Sequence, residues 1–320
     1  MIRTEGLTKY YGDFCALQNL DVHIEKGQVF GYIGPNGAGK TTTIRMLAAL
    51  MKPTQGQAFI GDVDVARNPA RVKELVGYLP DFFGVYEGMR VQEYLDFFGA
   101  AFKIRRKERR SRIDQVLNIT GSTYMEDMFV EALSRGMKQR IGIARTLLHD
   151  PAVLLLDEPL SGLDPNARIE MKELLRKLGE MGKTILVSSH ILPELAAICD
   201  SVGILDHGQL HACGSVDKIM HGIRQNRVVE VELLDDPKGA AAFLRKSREE
   251  EEIGEVEVQG HVVRFEWNAS DTQLSSLLAG LVEKGFNVVG FQEVPISLEE
   301  AFIELTGRTP EDEQPSPEAV

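Results

Sequence analysis

The sequence predicts an α/β fold with a mostly parallel sheet, carrying antiparallel β and helical subdomains and followed by a small α+β domain. Three observations predict it. Residues Gly34-Pro35-Asn36-Gly37-Ala38-Gly39-Lys40-Thr41-Thr42 match the phosphate-binding pattern G-x-x-x-x-G-K-[ST] between a strand-like and a helix-like run. The run Ala152-Val153-Leu154-Leu155-Leu156 is continuously apolar, as in a strand buried on both faces. Residues 1–223 carry 27 basic and 27 acidic side chains, whereas residues 224–320 carry nine and 21, so the net charge of −12 is C-terminal and marks a boundary near residue 224.

Taken in order, residues 2–27 alternate as strands do. Leu20, Val22 and Ile24 are apolar between Asp21, His23 and Glu25, and Lys26-Gly27 turns the chain into the next apolar run. Tyr10 and Tyr11, just ahead of Gly12-Asp13, read as half-buried strand aromatics. Residues 29–33 then supply a buried strand and residues 43–50 a helix, the flanks that the phosphate loop needs. The loop glycines let backbone N–H groups turn onto phosphate oxygens at a helix N-terminus whose dipole already favours an anion. In that pattern Lys40 reaches the outer phosphates and the Thr41 hydroxyl ligates Mg²⁺.

Residues 56–65 read as a further short β segment, and residues 76–81 as a strand that ends at Pro80-Asp81. Residues 91–120 look helical, because Leu95, Phe98 and Phe102, then Ile113, Val116 and Leu117, recur at helical spacing. The basic run between them, residues 103–112, reads as a solvated face, with anionic lipid headgroups or an acidic partner as the sharper alternative. A helix then follows Leu133-Ser134-Arg135-Gly136-Met137 and continues to Leu148. Beyond the apolar run 152–156 a helix (166–181), a strand (184–188), His190 and a further helix continue the alternation of an α/β core.

Asp157 ends the buried strand, so its carboxylate can sit beside the phosphate loop and hold Mg²⁺, usually through water. Glu158, one residue on, can orient and polarise an attacking water.

Residues 227–306 read as a separate βαββαβ unit of ferredoxin-like type. Its strands are 228–233, 254–258, 262–267 and 287–291, its helices 238–245 and 273–284, with a closing helix at 298–305. Residues 307–320 are rich in Pro and Glu and read as a disordered tail.

Composition narrows the function. No run of 18 or more apolar residues occurs, and Met1-Ile2-Arg3-Thr4-Glu5 lacks a signal-peptide core, so the chain is expected neither to span a membrane nor to be exported. Cys15, Cys199 and Cys213 lack metal-ligand spacing and are expected to be reduced and mostly buried. The acidic C-terminal part argues against a nucleic-acid partner.

Taken together, the phosphate loop, Leu133-Ser134-x-Gly136, Asp157-Glu158, Ser161-Gly162-Leu163-Asp164 and Ser189-His190 resemble the nucleotide-binding subunit of an ATP-binding cassette (ABC) transporter over residues 2–215. The resemblance implies a P-loop NTPase core over residues 1–223, with a helical subdomain at about 82–150, and an accessory domain at 224–306. By the same resemblance Tyr11 stacks on adenine, Gly34 to Thr42 form the Walker A loop, and Asp157 with Glu158 forms the Walker B pair. Ser134 and Gly136 would face the γ-phosphate of ATP bound to a second copy, Asp164 would communicate across that dimer, and His190 would contact the γ-phosphate. Lys40, Glu158 and His190 are thus the expected catalytic side chains.

Three positions depart from the family pattern, two in the signature and one after residue 80. In the usual Leu-Ser-Gly-Gly-Gln signature, Arg135 replaces the first glycine and Met137 the glutamine, leaving Ser134 and Gly136. Asp81 stands where a glutamine is usual. It can ligate Mg²⁺ but cannot donate a hydrogen bond, so the expected metal set is Thr41, Asp157 and Asp81.

The accessory domain and the variant motifs resemble ATPase subunits of bacterial ABC-2 type exporters of antibiotics or drugs. That implies ATP and Mg²⁺ as cofactors, a head-to-tail pair of copies, a separate transmembrane permease, and a peripheral position on the cytoplasmic face of the membrane. A soluble ABC ATPase acting on ribosomes or DNA is the alternative, although such chains typically carry two cassettes or a long coiled coil, and neither a second phosphate loop nor sustained heptads are present. A nucleotide-gated regulatory module with little turnover is the other.

Overall fold

A computed structural model describes residues 1–82, 84, 86, 88–223, 227–246 and 253–294, and the chain divides into two compact units, one built on Met1–Val216 and one on Asp217–Glu304. In the first unit, β1 (Ile2–Tyr11) and β2 (Phe14–Ile24) form an antiparallel hairpin with Ile2 opposite Ile24, placing Leu20, Val22 and Ile24 inside. Next come β3 (Val29–Ile33), buried throughout, and α1 (Lys40–Leu47). The expected single β segment is a hairpin, β4 (Gln55–Ile60) and β5 (Val63–Asp64), which joins the first two strands in the order β2-β1-β4-β5. A short α2 (Pro69–Leu75) leads into β6 (Val76–Leu79).

The helical stretch 91–120 is divided into two helices, α3 (Val91–Ala101) and α4 (Arg106–Ile119). Lys103 takes the left-handed conformation (φ 62°), Lys103 N–H donates to Ala100 O at 2.9 Å, and Ile104 N–H donates to Gly99 O at 3.0 Å. These bonds close the end of α3 as a Schellman motif with lysine where glycine is usual, so the sequence carries no stop signal. The basic run is also only partly a solvated face. Arg109 reaches Asp96 at 2.7 Å, Arg110 reaches Glu126 at 2.6 Å, and Arg112 donates to Leu147 O and Leu148 O at 2.7 and 2.8 Å. Arg109 therefore pins α4 to α3, Arg112 pins it to the end of α5 (Arg135–Leu147), and Arg110 holds the segment that follows α4.

The chain then enters β7 (Val153–Leu156), α6 (Pro165–Glu180), β8 (Thr184–Ser189), α7 (Leu192–Ala196), β9 (Ser201–Asp206), β10 (Gln209–Ser215) and α8 (Val216–Ile223). The main sheet has the order β10-β9-β3-β8-β7-β6, parallel except for the β10–β9 pair. Its central strands are sealed on both faces, which explains their unbroken apolar runs. Parallel pairing also brings the C-terminal ends of β3, β6, β7 and β8 to one edge, where the chain delivers its polar residues. The cysteines differ from expectation, since Cys15 and Cys199 are half-buried and Cys213 is exposed.

The second unit takes α8 from Asp217 onward and holds β11 (Arg227–Leu233), α9 (Pro237–Lys246), β12 (Ile253–Gln259), β13 (Val262–Trp267), α10 (Asp271–Glu283) and β14 (Val288–Val294). Its sheet runs β12-β13-β11-β14 with every neighbour antiparallel, the arrangement a ferredoxin-like βαββαβ unit requires. Val229, Val231, Leu244, Phe265, Trp267 and Leu281 fill its core, and a Ser270–Gln273 capping box starts α10. The expected closing helix at 298–305 and the tail at 307–320 lie outside the described residues.

Candidate functional site

The phosphate loop leaves β3 and turns into α1 under tight backbone constraint. A Cβ on Gly34 would lie 2.0 Å from the Leu205 carbonyl oxygen of β9, and one on Gly39 would lie 2.7 Å from Ala16 O. Gly39 also holds φ at 102°, a conformation that side chains disfavour, and caps α1 from there. The loop is thereby clamped against β2 and β9, while its backbone is free to face outward at a helix N-terminus.

Lys40, only 5% exposed, folds back over this loop. Its ammonium donates to Gly34 O and, at 3.0 Å, to Pro35 O, and lies 3.2 Å from Glu158 Oε1. That contact is at ion-pair distance but off hydrogen-bond geometry, and Glu158 Oε1 is a buried oxygen with no hydrogen-bond partner among the described residues. The other carboxylate oxygen, Oε2, lies 2.9 Å from His190 Nδ1. Lys40, Glu158 and His190 thus form one connected chain, drawn from α1, the end of β7 and the end of β8. Glu158 has φ 48°, a strained value for a residue with a side chain, and its N–H is fixed by Ser188 Oγ at 3.0 Å.

Ser188 also anchors the second acid. Its hydroxyl donates to Asp157 Oδ1 at 2.8 Å, and Thr41 Oγ1 donates to the same oxygen at 3.1 Å. Burial pushes the Asp157 carboxyl above the ordinary aspartate range, with the two hydroxyls pulling the other way and the charges of Glu158 and Asp81 adding to the rise. A carboxylate in this position favours a cation. The adjacent Thr41 hydroxyl and Asp157 carboxylate are hard oxygen donors, and no group of three or more His, Cys, Asp or Glu that could hold a metal occurs among the described residues. Mg²⁺ fits such a sparse set, because it takes one or two protein oxygens and completes its shell with water and phosphate.

The remaining expected residues lie outside these two chains. Tyr11, at the end of β1, is 45% exposed, donates its hydroxyl to Met51 Sδ at 3.0 Å, and carries Lys9 over its ring. Ser134 is exposed and caps α5, accepting from Met137 N at 3.3 Å, and Gly136 packs so closely on Ala167 of α6 that a Cβ would lie 2.8 Å away. Asp164 caps α6 by accepting from Ala167 N at 3.0 Å. Asp81 lies 3.9 Å from Arg135, not against Thr41.

Ser188 is the residue that motif reading missed. The signal was a polar pair, Ser188-Ser189, ending an otherwise apolar buried strand. A second unforeseen pair is Glu194, 4% exposed on α7, with its Oε1 2.8 Å from Arg168 Nε of α6.

Comparison with known proteins places the chain in a family. The family described as ABC transporter matches residues 17–161, and the family described as ATP-binding protein DrrA1-3-like, C-terminal domain, matches residues 214–306. The bacitracin transport ATP-binding protein BcrA of Bacillus licheniformis is 36% identical over 308 residues, 96% of this chain and 97% of that protein. The linearmycin resistance ATP-binding protein LnrL of Bacillus subtilis (strain 168) is 30% identical over 314 residues, 98% and 100% of the two chains. Among solved structures, a dimeric bacterial ABC transporter cassette superposes with a TM-score of 0.61 at 26% identity, covering 68% of this chain and 99% of its own.

Proposed function

The chain belongs to the ABC transporter ATP-binding proteins, in the branch with a DrrA1-3-like C-terminal domain, and from that premise we propose that it hydrolyses ATP to power export through a separate membrane permease. The observation that carries the proposal is the convergence of Lys40-Glu158-His190 and Thr41-Asp157-Ser188 at one edge of the parallel sheet. Phosphoryl transfer to water needs positioned charge more than covalent chemistry, and these residues supply it.

In this reading the loop 34–42 wraps the phosphates, and Lys40 exchanges its own loop carbonyls for their oxygens. Mg²⁺, held by Thr41 and Asp157, would neutralise charge on the outer phosphates. Glu158 accepts the proton of the attacking water, and His190, hydrogen-bonded to Glu158 Oε2, holds that carboxylate in line. Tyr11 offers an exposed ring for adenine. Ser134 and the N-terminus of α5 are exposed, in position to serve ATP on a second copy, with Asp164 beside them on α6.

No helix among the described residues is long and apolar enough to cross a membrane. In this reading the permease is a separate chain, and this one docks on its cytoplasmic side. Transport is taken from the name of BcrA and resistance from that of LnrL, and export is the direction that would join the two.

Sedimentation with and without MgATP, beside phosphate release, tests the proposal. It expects a monomer that becomes a dimer with MgATP, most stably as Glu158→Gln, together with sustained turnover by the native chain. A monomer at saturating MgATP would contradict the composite site, and tight binding without turnover would favour the regulatory alternative.

A further inference from the structure

Two of the three positions that depart from the family pattern meet in the fold. Asp81 follows β6 and Arg135 opens α5, yet Asp81 Oδ1 and Arg135 Nη2 are 3.9 Å apart. The Arg135 guanidinium also lies against Gly162, where an added Cβ would fall 2.6 Å from its central carbon. Gly162 is two residues before Asp164, and Arg135 is one residue after Ser134. Three loops of the proposed ATPase site thus converge on one guanidinium, and Asp81 is close enough to Asp157 for its charge to raise the Asp157 carboxyl.

Resting on the ATPase reading above, we propose that Arg135 is a positioning residue that holds Asp81 away from the metal site, so that Asp81 is shared between Arg135 and the Mg²⁺ of bound MgATP. The pair is suited to exchange. Both side chains are about half exposed, at 53% for Asp81 and 55% for Arg135, and an ion pair so hydrated stabilises little. Asp81 cannot ligate the metal and hold the 3.9 Å contact with equal strength, because each partner competes for one negative charge. Metal loading therefore loosens Arg135, and with it the loop that carries Ser134, at the moment when that loop must meet the second nucleotide. The opposite charges at the two variant positions follow from this coupling. A neutral glutamine at 81 would leave Arg135 without its anion, and a glycine at 135 would leave Asp81 free to crowd Asp157.

The test is the Mg²⁺ dependence of fluorescent ATP analogue binding, read as the Mg²⁺ concentration at half-maximal binding, in the full chain and in Arg135→Ala, Asp81→Asn and the double variant. Freeing Asp81 is expected to lower the midpoint of Arg135→Ala by about two- to fivefold, the range that an exposed ion pair supports. In the Asp81→Asn background the Arg135→Ala change is expected to move the midpoint no further. An unchanged midpoint in Arg135→Ala overturns the proposal. So does a shift that persists in the double variant, since Arg135 would then act through its general field and not through Asp81. Absence of analogue binding by the native chain would overturn the ATPase reading itself, which separates the two failures.

Discussion

Lys40 Nζ and Glu158 Oε1 lie 3.2 Å apart and almost wholly out of water, so the side chain proposed to bind phosphate charge and the one proposed to activate water hold each other in check. Glu158→Gln removes one charge of this pair and leaves Lys40 free for phosphate. Nucleotide affinity is expected to be kept or raised while turnover falls by about 10²- to 10⁴-fold. Equilibrium binding and phosphate release on one sample check both, and near-native turnover would refute the role of Glu158.

The same pair makes Lys40→Met costly in a second way. Glu158 would lose its buried cation and keep only His190, on Oε2, which destabilises by up to about 3–5 kcal/mol. Thermal melts should show a large loss for Lys40→Met and a substantial recovery in Lys40→Met/Glu158→Gln, although neither variant binds ATP tightly. A double variant as unstable as the single one would mean that Lys40 supports the loop through Gly34 and Pro35 alone.

How much of this was legible beforehand varies with the physics. The placement of loop 34–39 between β3 and α1, and of Asp157 and Glu158 just after β7, was readable because it is written locally, in apolar runs and at Gly34 and Gly39, where neighbouring carbonyls exclude a Cβ. The βαββαβ pattern of the second unit followed from alternation and from turn residues. Ser188 was missed because its role is wholly tertiary, one hydroxyl joining β8 to two residues that follow β7. The break between α3 and α4 was missed because Lys103, not glycine, takes the left-handed turn. The arginines of α4 read as a surface run, since their partners Asp96, Glu126 and the end of α5 are distant in the chain.

Those arginines give a contrast of their own. Arg112→Ala loses charged hydrogen bonds to Leu147 O and Leu148 O and is expected to destabilise the fold by about 1.5–3 kcal/mol. Arg106→Ala, at an exposed position, should stay within about 0.5 kcal/mol of the native chain. Urea melts of both variants decide, and equal stabilities would return the run to a solvated face.

Asp157 sets a pH dependence whose sign is fixed by burial. Its carboxyl is raised in the folded state, so the fold holds more protons than the unfolded chain between the ordinary aspartate value and the raised one. Stability from this group is therefore lost as pH rises through that window, and the penalty persists at neutral pH until a cation offsets it. Asp157→Asn is expected to raise the melting temperature without Mg²⁺ at neutral pH, to flatten that part of the pH profile, and to abolish stabilisation by MgATP. A lowered melting temperature in the metal-free variant would contradict the assignment.

Gly37 isolates the site from the scaffold. A Cβ there meets no atom within 4 Å, so Gly37→Ala carries the strain of φ 81° and little else, about 1 kcal/mol or a melting shift of about 2–4 °C. Gly34→Ala, facing Leu205 O, should lose far more. If phosphate lies against the loop, Gly37→Ala nevertheless weakens ATP binding, and isothermal titration beside the melts would show the two effects apart.

The central claim is that this chain is the ATP-driven half of a membrane exporter. Affinity purification of tagged Glu158→Gln from membranes held in MgATP tests it most directly, because that variant should remain closed on its partner. Recovery of a multi-span membrane protein, lost when ATP is omitted, is the predicted result. Recovery of ribosomes, or of a soluble dimer alone, would contradict it.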